Sequence, residues 1–167
     1  MNIAIVTGAS SGMGREAAIQ IADRFAGIGE IWLVARRKER LEELDGRVPA
    51  GIRCFDMDIT CPQERKRLIE ALKEKKPNVK ILVNAAGFGR IGKVGELVME
   101  SECSMVQLNC EALCAITHLV LPYMRHNSRI VQFASAASFL PQPKFAIYAA
   151  TKSFVLSYSR ALGAELK

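Results

Sequence analysis

Asn2-Ile-Ala-Ile-Val-Thr7 runs directly into Gly8-Ala-Ser-Ser-Gly12-Met-Gly14, and the fold can be inferred outward from this junction. The first segment is a short apolar run with β-branched residues, which is typical of a buried parallel strand. After the glycines, the segment from Arg15 to Phe25 carries apolar residues at helical spacing. A strand, a glycine-rich turn and a helix in this order are the context that a dinucleotide-binding site requires.

The three glycines of this turn each have a physical reason to be glycine. Gly8 allows the tight turn, Gly12 lets a pyrophosphate approach the backbone, and Gly14 lets the helix pack close to the strand. The helix N-terminus would then present free N–H groups and its positive dipole end to the phosphates. The spacing is Gly-x3-Gly-x-Gly, and a glycine-rich turn alone is a weak indicator because many loops contain three glycines.

A tyrosine and a lysine near the C-terminal end of the sequence form the second informative pattern. Tyr148 and Lys152 are one helical turn apart, so their side chains are expected on the same helix face. A cation about 4 Å from a phenol favours the phenolate by about 4 kcal/mol at an effective dielectric near 20. The pair is therefore a candidate for general acid–base catalysis, although such pairs also occur in ordinary helices.

The rest of the chain alternates between strand-like and helical segments. The predicted strands are Glu30–Ala35, Gly51–Asp56, Lys80–Asn84 and Arg129–Ala134, and the predicted helices lie at about 37–45, 61–75, 98–124 and 147–166. This alternation predicts an α/β, doubly wound parallel sheet of the Rossmann type, with strand order 3-2-1-4-5 and ligands at the carboxyl ends of the strands. The length predicts a single domain over residues 1–167.

Composition argues against several other classes of protein. Half of the residues are hydrophobic, but no run approaches the ~20 apolar residues of a membrane span, so no membrane association is expected. The sequence enters a strand at once, so no signal peptide is expected. Five cysteines without a Cys-x-x-Cys pair predict reduced thiols, no metal site and a cytoplasmic protein.

The net charge of +6 does not predict a nucleic-acid partner. The basic clusters at Arg36-Arg-Lys38, Arg65-Lys-Arg67 and 73–80 lack the interleaved aromatic residues that such a surface uses. Acidic residues punctuate these clusters, so solvated helix faces are the better interpretation of the second and third.

Five motifs in the correct order together resemble the short-chain dehydrogenase/reductase family. They are Thr7-Gly-Ala-Ser-Ser-Gly-Met-Gly14, Asn84-Ala-Ala-Gly87, Asn109, Ser135 and Tyr148-Ala-Ala-Thr-Lys152. The resemblance implies hydride transfer between NADP(H) and a small-molecule carbonyl or alcohol, with Tyr148 as general acid or base. It also implies that Ser135 steadies the substrate oxygen, that Lys152 supports Tyr148 and binds the nicotinamide ribose, and that Asn109 holds a water in a proton relay at a helix distortion.

The resemblance also implies a set of cofactor contacts, namely Gly8, Ser10, Ser11, Gly12, Met13, Gly14, Arg36, Asp58, Asn84, Ala85, Gly87, Tyr148 and Lys152. An acid after the second strand would select NAD, whereas this chain has Arg36, whose guanidinium suits the 2′-phosphate of NADP. Arg37 could assist, and a surface role for Arg36 is the alternative. The basic residue that many NADP-preferring relatives carry in place of Ser11 is missing.

Three further assignments have open alternatives. Asp56 competes with Asp58 for the acid that contacts the adenine amine. A satisfied core amide is the alternative for Asn109. Ser138 competes with Ser135, although the family's spacing of thirteen residues before the tyrosine selects Ser135 and leaves Ser138 as a candidate lining residue of the substrate pocket.

Members of this family usually continue through further C-terminal strands, so the sequence is expected to be a truncated member that lacks them. A non-catalytic NADP-binding or scaffold module, or an inactive truncated fragment, is the alternative to an enzyme. Relatives pair through the helices that correspond to 98–124 and 147–166, so the resemblance implies a homodimer or homotetramer. The alternative is that these apolar faces only cover the sheet.

Overall fold

The computed structural model describes residues 1–46 and 48–166, and in them five strands form one parallel sheet. The order is β3-β2-β1-β4-β5, which confirms the predicted topology. In the centre of the sheet, Ile5 on the first strand lies opposite Trp32 on one side and Leu82 on the other. The strands are β1 (Asn2–Thr7), β2 (Glu30–Ala35), β3 (Gly51–Asp56), β4 (Asn78–Asn84) and β5 (Met124–Gln132).

Two strand boundaries differ from the prediction. The fourth strand begins at Asn78, and the fifth runs from Met124 to Gln132 instead of from Arg129 to Ala134. The added residues of β5 read Met-Arg-His-Asn-Ser, and most of them are exposed. A search for apolar runs cannot find such a segment, because a polar strand lacks the hydrophobic signal on which the prediction depends.

Six α-helices accompany the sheet in the described residues. The predicted helical stretch 98–124 is present as one run, but it contains a π-helical segment, Gln107–Ala112, between two α-helices and ends in a 3₁₀ turn, Leu121–Tyr123. A second 3₁₀ turn covers Ala136–Ser138. The α-helices are α1 (Gly12–Arg24), α2 (Lys38–Glu42), α3 (Pro62–Lys75), α4 (Met99–Val106), α5 (Leu113–Val120) and α6 (Ala146–Glu165).

The two central strands are buried almost completely. Ile3, Ile5 and Val6 of β1 have no accessible surface, and the same holds for Leu82 of β4. Burial on both faces of a parallel sheet explains why these strands read as continuous apolar runs. Removing a side chain of this size from water stabilises the fold by about 1.5–3 kcal/mol.

The chain divides into two compact units. The first comprises Met1–Ala86 and Ala115–Val131, and the second comprises Gly87–Cys114 and the chain from Gln132 onward. The first unit contains the sheet apart from Gln132 and carries the glycine-rich turn. The second contains α4, the π-helical segment and α6. The predicted single domain over 1–167 stays a prediction, and each unit is described by itself below.

One helical run has the dimensions of a membrane span, which differs from the expectation that no segment approaches them. The run Met99–Tyr123 has 25 residues and is long and apolar enough, by length and composition alone. Part of its most apolar window, 39%, is buried inside the protein. Core helices of soluble proteins meet the same criterion, so this single run does not indicate a membrane protein.

Candidate active site

In the first unit, the glycine-rich turn packs directly against the segment that follows β4. Gly8 has a φ of +68°, and a Cβ at this position would lie 2.7 Å from the backbone nitrogen of Ala86 and 2.8 Å from the carbonyl oxygen of Ala85. The neighbouring Thr7 hydroxyl accepts a hydrogen bond from the Ala86 N–H at 3.2 Å. Both the backbone conformation and this close approach therefore require glycine at position 8.

The next two glycines begin α1 and differ in what surrounds them. A Cβ on Gly14 would overlap the carbonyl oxygen of Gly8, so the helix start and the turn touch through their backbones. Gly12 has a φ of +57°, and a Cβ at this residue would have no neighbouring atom within 4 Å. The N-cap residue Ser11 makes no side-chain capping bond, and the first turn holds no acid. The uncapped N-terminus of α1 therefore fits a pyrophosphate.

An arginine reaches over this turn from the end of β2. The Arg37 guanidinium donates to the hydroxyl of Ser10 at 2.9 Å and to the hydroxyl of Ser11 at 2.8 Å. Position 11 lacks the basic residue that many NADP-preferring relatives carry, and Arg37 brings a guanidinium to that place. Met13, in the same turn, is 63% exposed.

Arg36 points to a different partner. Its guanidinium lies 3.9 Å from a carboxylate oxygen of Asp58, and its side chain is 76% exposed. The other oxygen of Asp58 accepts from the backbone N–H and the hydroxyl of Thr60, at 2.9 and 2.7 Å. The two residues predicted to contact the adenosine end of the cofactor are therefore adjacent in the first unit.

Asp56, the acid that competes with Asp58, has another partner, and so does Arg15, a further arginine near the start of α1. The carboxylate of Asp56 pairs with Arg67 at 2.8 Å, and this hydrogen bond lowers the pKa of Asp56. Arg15 pairs with Glu43 at 3.0 Å. These contacts favour Asp58 over Asp56, because only Asp58 adjoins Arg36.

Asn84 at the end of β4 is buried, with 3% of its surface exposed. Its side-chain amide donates to the hydroxyl of Thr117 at 3.0 Å. The adjacent residue, Ala85, contributes the backbone against which Gly8 packs. In this structure the Asn84-Ala85 segment therefore holds the first unit's turn and sheet together, and its contact with a cofactor stays a prediction.

In the second unit, Tyr148 and Lys152 lie on α6, as predicted. The Lys152 ammonium lies 5.6 Å from the centre of the Tyr148 ring and donates to the carbonyl oxygen of Phe133 at 2.6 Å. Only 8% of the Lys152 surface is exposed, and none of the ion pairs in the described residues includes it. Burial lowers the pKa of Lys152. The electrostatic influence of Cys110 raises this pKa, but it is the smaller of the two effects.

The helix distortion expected at Asn109 is present, because this residue lies in the π-helical segment Gln107–Ala112. Its amide oxygen accepts from the Phe88 N–H at 3.0 Å. Its amide nitrogen donates to the Phe88 carbonyl at 2.9 Å and to the Thr151 hydroxyl at 3.0 Å. Asn109 is 1% exposed, so it is a satisfied buried amide at a π-segment, a type of distortion frequent at functional sites.

Thr151, which the sequence motifs did not reveal as a functional residue, connects Asn109 to the tyrosine. Its hydroxyl accepts from Asn109 and donates to the backbone carbonyl of Tyr148 at 2.7 Å. Phe145 was also missed, and its ring stacks on that of Tyr148 with centroids 4.3 Å apart and an angle of 21° between the planes. The only signal for Thr151 was its position inside the Tyr148–Lys152 motif.

Gly87 is glycine at a point where the Asn109 side chain comes close to the backbone. A Cβ here would lie 2.9 Å from the amide oxygen of Asn109 and 3.7 Å from the Lys152 ammonium. The cofactor contact that the family resemblance implies for Gly87 stays a prediction. In the second unit, the space for a side chain at this position is occupied by the Asn109 amide and adjoins Lys152.

The two candidate serines differ in how their hydroxyls are used. The Ser135 hydroxyl oxygen accepts a hydrogen bond from the Ala137 N–H at 3.2 Å. This bond does not use the hydroxyl proton of Ser135, which can therefore be donated to another group. The Ser138 hydroxyl donates to the backbone carbonyl of Ser135 and so stabilises the 3₁₀ turn. This difference favours Ser135 as the hydrogen-bond donor to a substrate.

The motifs and the fold agree with a comparison against protein families. The short chain dehydrogenase family matches residues 2–167. The chain belongs to this family. The described residues contain no group of three or more His, Cys, Asp or Glu side chains that could hold a metal ion.

Relatives in the family include named oxidoreductases and reductases. The chain is 28% identical to an uncharacterized oxidoreductase of Staphylococcus epidermidis over 166 residues, which covers 98% of this chain and 71% of the relative. It is 33% identical to sulfoacetaldehyde reductase 2 of Chromohalobacter salexigens over 172 residues, covering 99% and 67%.

Among solved structures, the chain resembles a short-chain dehydrogenase from Sphingobium yanoikuyae in complex with NADPH. The TM-score is 0.87 at 32% identity, and the match covers 99% of this chain and 66% of the other. The likeness therefore extends over both units, while about a third of the solved chain has no counterpart in this sequence.

Proposed function

We propose that this chain belongs to an NADP-dependent oxidoreductase that transfers a hydride between NADP(H) and a small-molecule carbonyl or alcohol, with Tyr148 as general acid or base. The observation that carries the proposal is the pairing of Tyr148 with a buried lysine. The Lys152 ammonium has lost most of its hydration, has one backbone acceptor and lies 5.6 Å from the tyrosine ring. A buried cation interacts more strongly than a hydrated one with negative charge that develops on the Tyr148 oxygen during proton transfer.

The first unit supplies residues that fit the nucleotide. The N-terminus of α1 would hold the pyrophosphate, and the guanidinium of Arg36, together with Arg37 above Ser11, would hold the 2′-phosphate. Asp58 would contact the adenine, and Asn84 and Ala85 would line the ribose. The bound nicotinamide supplies or accepts the hydride.

The second unit supplies the proton chemistry. Ser135 donates a hydrogen bond to the substrate oxygen and so stabilises the negative charge that develops there. Tyr148 gives a proton to that oxygen in reduction and takes it back in oxidation. Lys152 stabilises the phenolate, and Asn109 fixes the backbone next to Tyr148 through Thr151.

A turnover assay tests this function. NADPH and a panel of carbonyl compounds, including small anionic aldehydes such as the substrate in the name of the Chromohalobacter relative, are added to the protein, and the loss of NADPH absorbance is followed. We expect consumption that depends on both protein and carbonyl. Tight NADPH binding without consumption across the panel would instead favour the non-catalytic NADP-binding module.

Replacing Arg36 with aspartate should shift the cofactor preference from NADPH toward NADH. The change removes a cation from the phosphate and adds an acid that repels it, and hydrogen bonds to charged groups contribute about 1.5–3 kcal/mol. We therefore expect the KM for NADPH to rise by roughly 10- to 100-fold. Steady-state kinetics with both cofactors measure the effect.

Lys38→Asp is the matched control, since Lys38 is an exposed cation two residues away that pairs with Glu42 at 3.5 Å. This variant makes the same change in charge and should leave the preference unchanged. An unchanged NADPH affinity in Arg36→Asp would assign the phosphate to Arg37 instead.

We also propose that the protein forms a homodimer or homotetramer. Several apolar side chains on the helices that pair in relatives are exposed, including Met99 at 69%, Val106 at 46% and Phe154 at 41%. Burying such residues against a second copy would remove apolar area from water. Sedimentation at micromolar concentration should show an assembly larger than a monomer, and a strict monomer would refute the proposal.

A further inference from the structure

We infer that Gly89 is a positioning residue for the proposed proton donor, because the absence of a side chain at this position determines where the Tyr148 ring lies. This inference rests on the proposed function of Tyr148. A Cβ on Gly89 would lie 2.6 Å from Cδ2 of Tyr148, and 2.8 and 2.9 Å from two ring carbons of Phe145. Carbon atoms that are not bonded pack at about 3.5–4.0 Å, so even a methyl group cannot be accommodated without movement.

The Tyr148 ring is confined by its neighbours in the second unit. Phe145 covers one face of the ring at a centroid distance of 4.3 Å, and the backbone of Gly89 adjoins the edges of both rings. The position of the phenol therefore depends on these two contacts, which leave no room for a side chain at position 89.

The backbone on both sides of Gly89 is held in place. The N–H and the carbonyl of Phe88 both bond to the Asn109 side chain, at 3.0 and 2.9 Å. The N–H of Arg90 points to the sulfur of Met105 at 3.3 Å, and the N–H of Gly92 donates to the carbonyl of Lys144 at 2.7 Å. A methyl group on residue 89 should therefore displace the rings and leave the loop in place.

Displacing the ring should impair proton transfer more than cofactor binding. A general acid must come within hydrogen-bond reach of the substrate oxygen, and a misplacement of about 1 Å can lower a rate by about 10²-fold. Gly89 has a φ outside the left-handed region, so alanine fits its backbone conformation. We expect Gly89→Ala to lower kcat by roughly 10- to 100-fold with little change in the Kd for NADPH.

Gly92→Ala provides a matched control in the same loop. A Cβ on Gly92 would also approach a side chain closely, at 2.7 and 2.8 Å, but the neighbour is Leu97. The two variants therefore add the same methyl group with a similar overlap, and only one of them touches Tyr148. If the added methyl group lowered turnover only by loosening the loop, both variants would show the loss.

The decisive experiment observes the Tyr148 ring directly. The chain contains three tyrosines, so ring-labelled tyrosine gives few NMR signals, and Tyr148→Phe identifies the one from position 148. Stacking on Phe145 makes this signal sensitive to the position of the ring. We expect Gly89→Ala to shift it and to lower kcat, and Gly92→Ala to do neither. An unshifted signal with wild-type kcat in Gly89→Ala would overturn the inference.

A second pair of variants keeps the test decisive if Gly89→Ala does not fold. Phe145→Ala opens space into which the tyrosine ring can move, so Gly89→Ala combined with Phe145→Ala should fold. The combined variant should show a shifted Tyr148 signal and a lower kcat than Phe145→Ala alone, and identical values would refute the inference. The NMR signal does not depend on turnover, so a wild-type rate in Tyr148→Phe would refute the proposed function separately.

Discussion

Tyr148→Phe is expected to lower turnover by at least ~10²-fold while NADPH affinity stays nearly unchanged. Phenylalanine keeps the ring, so the stack on Phe145 and the contact with Gly89 are preserved. The backbone carbonyl at position 148 still accepts from Thr151. Only the phenolic hydroxyl is lost, and any change in rate reports the proton that it transfers.

Lys152→Met provides the contrast. Methionine has a similar length but no charge, so the phenolate loses its stabilising cation and the Phe133 carbonyl loses its donor at 2.6 Å. The ribose contact expected of Lys152 is also lost. We therefore expect a fall in both turnover and NADPH affinity, whereas Tyr148→Phe affects turnover alone.

Steady-state turnover and NADPH titration by fluorescence, measured on both variants, test this contrast, and circular dichroism verifies that each is folded. Equal NADPH affinity in the two variants would remove the ribose role from Lys152. Wild-type turnover in Tyr148→Phe would exclude Tyr148 as the proton donor.

Gly14→Ala is expected to lower the free energy of unfolding by about 1–3 kcal/mol, the usual cost of adding a group to a fully packed position. The new methyl group would overlap the carbonyl oxygen of Gly8 and lie 2.8 Å from its carbonyl carbon. These are backbone atoms of a tight turn, so they cannot rotate away as a side chain would. Separation of the turn from α1 should also weaken NADPH binding.

Gly163→Ala is the matched control, because it is also a helical glycine. No atom lies within 4 Å of a Cβ at this position in α6, and the residue is exposed. Alanine is favoured over glycine in a helix by about 1 kcal/mol, so this variant should be more stable than the wild type. The same substitution is thus expected to have opposite effects at the two positions.

Denaturant unfolding followed by the fluorescence of Trp32, the single tryptophan, measures both effects. Trp32 has no exposed surface in the fold, so its emission should change on unfolding. A Gly14→Ala variant as stable as Gly163→Ala would show that the turn and the helix can separate without loss. The close backbone contact would then have no energetic importance.

The sequence predicted the sheet well where burial leaves a clear pattern. The bounds of β2 and β3 are confirmed, and β2 reads as an apolar run between turn residues because it is a buried parallel strand. The same method misplaced β5, whose first residues are polar and exposed. The π-helical segment at Asn109 could not be located by spacing alone, because a single wide turn hardly changes the periodicity of a long helix.

The sequence likewise predicted only part of the candidate site. The spacing of Tyr148 and Lys152 correctly placed both on one helix face, since the period of an α-helix is fixed by its backbone hydrogen bonds. The roles of Gly87 and Gly89 were not visible, because they depend on Asn109, Lys152 and Tyr148, which are distant in sequence. A glycine in a sequence shows only that a side chain is missing, and the neighbour that requires this absence appears after folding.

The sequence by itself determined the family, the order of the strands and the residue types available for acid–base chemistry. These follow from local patterns that the backbone geometry of strands, turns and helices imposes. Only the tertiary structure decided that Arg37 lies over Ser10 and Ser11 while Arg36 adjoins Asp58, and that Thr151 joins Asn109 to Tyr148. The reason is physical: hydrogen bonds and close packing depend on distances of a few ångströms, and between residues far apart in the chain those distances are fixed only when the units fold.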